Sequence, residues 1–124
     1  MKIAKYMLFF LISTSTSVFA DNCDNPRDDF DGLYCLNKVY QEADKELNDA
    51  YQELRGFLTK EEKRKLKNTQ ISWIEDRNSS CSLRKGGNFY VSLNCTTATT
   101  IERTNVLEDR IRECKATGCQ PSKL

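Results

Sequence analysis

Apolar side chains recur three and four residues apart from Cys35 onward, at Leu36, Val39, Tyr40, Ala43, Leu47, Ala50, Tyr51, Leu54, Phe57 and Leu58, with no glycine or proline before Gly56. That spacing places them on one broad stripe of a helix and predicts that the stripe is buried. Thr59 then precedes Lys60-Glu61-Glu62. Its hydroxyl can cap a second helix while Glu62 reaches back, as in a capping box. The second stripe runs through Leu66, Thr69 or Gln70, Trp73, Arg77 and Cys81, and Gly86-Gly87 ends any helical continuation. A third helix is predicted from about Thr96 to Lys115, through Thr100, Ile101, Thr104, Leu107, Ile111 and Cys114. Gly118 and Pro121 close it.

The first two helices, each over twenty residues, would be ~35 Å long at ~1.5 Å per residue, and only a few residues connect them. They are expected to form an antiparallel hairpin. The third helix returns after a loop from Gly86 to Asn94 and covers the open side. The fold class is all-α, a small three-helix arrangement in which no apolar stripe stays exposed.

The N-terminus changes the count. Lys2 and Lys5 precede Met7-Leu8-Phe9-Phe10-Leu11-Ile12, a short polar stretch and Val18-Phe19-Ala20. This reads as a signal peptide over residues 1–20, because so short an apolar run cannot cross ~30 Å of hydrocarbon. The expected mature domain is residues 21–124, with 17 basic and 18 acidic side chains. Cys23 stands two residues beyond the expected cut, so the product is expected to be soluble, without a lipid anchor or membrane insertion, in the periplasm or secreted.

Six cysteines, Cys23, Cys35, Cys81, Cys95, Cys114 and Cys119, all lie in the mature part. In an exported chain an even count predicts three disulfides. Of the 15 possible connectivities, sequential pairing is the simplest. Structural zinc is disfavoured because the Cys-x-x-Cys spacing is absent, and no metal or cofactor is expected.

With no histidine in the chain, Ser-His-Asp and Cys-His nucleophiles and imidazole metal sites are excluded. A net charge of +1 argues against nucleic acid as a partner. The adjacent carboxylates Glu61-Glu62 and Glu75-Asp76 point to different helix faces and do not form a catalytic pair. The chain is therefore not expected to be an enzyme.

The ordered set Cys23, Cys35-Leu36, Ala43-Asp44, Leu47-Asn48, Tyr51, Leu54, Gln70-x-x-Trp73-x-x-x-Arg77-x-x-x-Cys81, Gly86-Gly87, Cys95 and Thr100-x-x-Arg103-x-x-x-Leu107 spans nearly the whole mature domain. It resembles the LprI lysozyme-inhibitor family, a secreted family formerly described as a domain of unknown function. Cys114 and Cys119 fall outside that pattern. The resemblance implies a helical domain that binds lysozyme. Physically, Asp44, Tyr51, Gln70, Trp73, Arg77, Thr100, Arg103 and Leu107 read first as structural. Gln70, Trp73, Arg77 and Cys81 share one helix face, Trp73 reads as a core anchor, and Arg77 and Arg103 are expected to hold a carboxylate such as Asp44.

Charge divides along the chain. Residues 21–54 hold ten acidic and three basic side chains, and residues 55–124 hold eight acidic and fourteen basic. Helix pairing explains part of this. The segment carrying Asp21, Asp24, Asp28, Asp29 and Asp31 is denser than pairing requires, and it suits a basic partner such as lysozyme or another basic wall-degrading enzyme. Two candidate surfaces follow: the acidic residues Asp28, Asp29 and Asp31, and the Gly86-Gly87 loop, whose Phe89 and Tyr90 can act as aromatic anchors. The expected function is inhibition of lysozyme by occlusion of its substrate cleft. The alternatives are a non-inhibitory cell-envelope accessory protein and an immunity protein against a secreted toxin.

Overall fold

A computed structural model describes residues 23–124, so the expected signal peptide and Asp21 lie outside the described residues. Helix α1 spans Asp29–Gly56, α2 spans Lys60–Ser80 and α3 spans Leu93–Thr117. Between α2 and α3 the chain forms a β-hairpin, β1 over Ser82–Lys85 and β2 over Asn88–Val91, and a short 3-10 turn follows at Pro121–Lys123.

Helix α1 begins six residues before the expected start. Asp28 caps it by accepting a hydrogen bond from the Asp31 amide at 2.9 Å, and Asp29 and Asp31 place negative charge on the helix N-terminus, where the peptide dipoles favour it. The α2 cap is as expected: the Thr59 hydroxyl accepts from the Glu62 amide, and the Glu62 carboxylate accepts from the Thr59 amide at 2.7 Å. Three sequential disulfides join Cys23 to Cys35, Cys81 to Cys95 and Cys114 to Cys119.

Helix α2 runs antiparallel to α3, since Gln70 meets Arg103, Arg77 meets Thr100, and Cys81 is bonded to Cys95. Helix α1 runs parallel to α3, with Glu53 bonded to Lys115 near both C-termini. The closest packing is between α1 and α3, not within the α1–α2 hairpin that the short connection suggests. Side-chain size is the reason. Ala43 and Ala50 are buried on α1, and Thr96, Thr100 and Thr104 on α3. Each threonine hydroxyl donates to the carbonyl four residues before it, at 2.7–3.0 Å, so a small polar residue is buried with its hydrogen bond satisfied. Leu47, Leu54, Leu58, Leu66, Leu107 and Ile111 complete the core, with Tyr51 and Trp73 packed against it.

The expectation that no apolar stripe stays exposed fails, at Phe57 and Ile101 and most of all at one end. The part of α1 before Ala43 extends beyond the core, leaving Leu36 and Val39 exposed together with Phe30, Leu33 and Tyr34. Cys35 is buried there, held by its disulfide to Cys23.

Candidate functional site

The expected structural residues converge on α2 and α3. Trp73 is not fully buried, and two guanidinium groups lie over its ring, Arg77 at 5.0 Å and Arg103 at 5.9 Å from the ring centre. Arg77 donates to Thr100 Oγ1 at 3.2 Å and to Asn78 Oδ1 at 3.1 and 3.2 Å. Arg103 donates to Gln70 Oε1 at 3.0 Å, and burial lowers its pKa from the ordinary arginine value. The expected carboxylate partner is absent. Asp44 instead accepts from Asn48 one turn along α1, and amide and hydroxyl oxygens serve both arginines. Neutral acceptors take three N–H groups of Arg77 and one of Arg103, and the ring of Trp73 lies against both guanidiniums, so no second charge is buried with them. Thr100 and Leu107 lie in the packed interior.

The two candidate binding segments lie at the same end of the molecule. The hairpin leaves the C-terminus of α2 and enters the N-terminus of α3, and Tyr40 of α1 and Phe89 of β2 line one cavity. Gly86 and Gly87 form the two-residue turn with φ of +58° and +79°, the left-handed conformations that a tight turn between right-twisted strands requires. Register pairs Leu83 with Tyr90 and Arg84 with Phe89. Alternation therefore puts the two aromatics on opposite faces. Phe89 lies under Arg84, 5.0 Å from ring centre to guanidinium carbon, and turns toward the bundle, while Tyr90 stands with Leu83 on the other face. Both rings remain more than half exposed, Phe89 at 56% and Tyr90 at 53%.

The acidic residues are not equivalent. Asp31 takes Arg27 Nε at 2.8 Å and the Arg27 amide at 3.2 Å, and these bonds hold its carboxyl below the usual carboxylate range. Asp28 serves as the cap. Asp29 faces solvent in the first turn. Two of the three acids thus have a local structural task. On the same helix Phe30, 84% exposed, joins Leu33 and Tyr34 at helical spacing, an apolar strip that the sequence reading did not single out. Its signal was present, since Phe30, Leu33 and Tyr34 already stand at i, i+3 and i+4.

Among the described residues no cluster of metal-ligating side chains occurs, and no helix is long and apolar enough to cross a membrane. The geometry offers a partner an apolar and aromatic surface with acids at the start of α1, Arg84 and Lys85 on the hairpin, and a disulfide at each of the two segments. The family model for the lysozyme inhibitor LprI matches residues 23–107 of the chain, leaving the Cys114–Cys119 disulfide outside the match. Neither a curated protein nor a solved structure matches it.

Proposed function

Because the chain belongs to the lysozyme inhibitor LprI family, we propose that it is exported and binds lysozyme, or another basic wall-degrading enzyme, through the hairpin end, occluding the substrate cleft. The observation that carries this reading is the exposure of Tyr90 and Leu83, paired on one face of a hairpin whose tip is a two-residue turn and whose base is closed by the Cys81–Cys95 disulfide. A narrow ribbon of this kind enters a cleft at low entropic cost, because its ends are already fixed. Tyr90 has the aromatic body and hydroxyl typical of interface anchors.

The acidic edge has a different task. Asp24, Asp28 and Asp29 are exposed beside the apolar strip of α1. They favour encounter with a basic enzyme and raise the association rate in a salt-dependent manner. Contact by Phe30, Leu33 and Tyr34 adds apolar area at the start of α1.

Lysis of bacterial cell walls by lysozyme, followed by turbidity with and without the purified oxidised protein, tests the proposal. The expected result is slowed lysis that saturates with inhibitor concentration. Unchanged lysis at micromolar excess would leave the two non-inhibitory alternatives.

A further inference from the structure

The cavity between the hairpin and the bundle holds an electrostatic anomaly that inhibition does not use. It encloses about 260 Å³, where Tyr40 of α1, Arg77 of α2, Phe89 and Val91 of β2 and Leu93 at the start of α3 converge. Arg77 is only 8% exposed, yet its partners are the neutral oxygens of Asn78 and Thr100 and the ring of Trp73. Among the described residues no carboxylate lies within ion-pair distance of it. A guanidinium stays charged at any physiological pH, and a buried charge without a counter-ion is unfavourable. Three of its five N–H groups are used in these hydrogen bonds, which leaves donor capacity for an anion.

We infer that this cavity binds a small monocarboxylic acid, its carboxylate on Arg77 and its apolar body against Tyr40, Phe89, Val91 and Leu93. The cavity is partly open to solvent and its modest volume suits a small acid with a short apolar tail. Arg77 is the one charged side chain among the described residues lining the cavity, and Asn78, Ser82 and Thr96 share its walls with the apolar groups. The lining therefore suits a singly charged head with an apolar tail, whereas a phosphate would bring more charge than one guanidinium neutralises. Entry is at the rim formed by Phe89 and Val91, both more than half exposed. The cavity lies on the face of the hairpin that carries Phe89, opposite the face of Tyr90 and Leu83.

Titration of the oxidised protein with hexanoate, with hexanamide as the neutral isostere and with inorganic phosphate, followed by NMR, tests this. Hexanoate is expected to saturate at millimolar or lower concentration and to shift the resonances of Arg77, Phe89 and Val91. Hexanamide and phosphate should each bind at least tenfold more weakly. Val91→Trp, at an exposed strand position, should block the rim and weaken hexanoate at least tenfold while leaving the melting temperature near that of the parent. Arg77→Lys should also weaken it, and if that variant does not fold, Val91→Trp decides. Failure of hexanoate to saturate, equal binding of hexanamide or phosphate, or full hexanoate affinity in Val91→Trp would overturn the inference.

Discussion

Trp73 is held by packing against the core and by two guanidinium groups over its ring, so its replacement removes two kinds of interaction at once. Trp73→Ala is expected to cost about 3 kcal/mol, the lower end for a large aromatic, because the ring is only partly buried. Urea denaturation measures it, and a loss under 1 kcal/mol would contradict the role assigned to the ring. Asp31 gives a pH-dependent counterpart. Its hydrogen bonds with Arg27 lower its folded pKa, so its contribution to the α1 cap is present above the unfolded value, near pH 4, and is lost as pH falls through the lower folded value. NMR titration should place the Asp31 midpoint below the ordinary carboxylate value, and Arg27→Gln should return it toward that value. At this scale the sequence disclosed which faces share residues, since Gln70, Trp73 and Arg77 stand 3 and 4 apart. It did not disclose the partners of the arginines. Asn78 adjoins Arg77, Thr100 is 23 residues away, and an expectation built on charge looked for a carboxylate instead.

Helix α2 was legible to its cap because Thr59 and Glu62 satisfy each other's amides locally, with no help from the rest of the fold. The hairpin was not read, although two four-residue runs flank paired glycines, because Gly86-Gly87 equally marks the end of a helix. Alanine at either glycine is expected to destabilise by about 1 kcal/mol through backbone strain. The cause would be conformational and not steric, since a Cβ there meets nothing within 4 Å. Thermal denaturation of Gly86→Ala and Gly87→Ala checks the magnitude, and undiminished stability in both would argue against the left-handed turn. The early start of α1 was missed for a related reason: its first turns carry acids, which read as a charged arm, yet acids are what a helix N-terminus favours. Burial of Leu36 and Val39 was likewise inferred from period alone. Period assigns a face, whereas burial depends on what packs against it, and Leu36 and Val39 stay exposed while Cys35 between them and the chain start is buried by its disulfide.

The whole molecule is polarised, with exposed acids and aromatics at the end where α1 begins, and Arg55, Lys60, Lys63, Arg64 and Lys67 around a groove about 42 Å of helix away. Removal of the Cys81–Cys95 bridge by serine substitution at both positions should cost about 3 kcal/mol in the chain-entropy model and free the base of the hairpin. Calorimetry measures the loss, and a change below 1 kcal/mol would argue against a stabilising role for the bridge. Inhibition should then fall by more than the unfolded fraction explains. The most direct test of hairpin-end inhibition is a comparison of lysozyme inhibition constants for the parent and three variants: Tyr90→Ala, Asp28→Asn with Asp29→Asn, and the distant Lys63→Gln. Asparagine caps a helix as well as aspartate does, so the second variant changes charge while keeping α1. The expected pattern is about thirtyfold weaker inhibition for Tyr90→Ala, corresponding to ~2 kcal/mol, slower association at low salt for the aspartate pair, and no change for Lys63→Gln. Parent-like inhibition by both Tyr90→Ala and the aspartate pair would contradict the assignment of the hairpin end as the inhibitory surface.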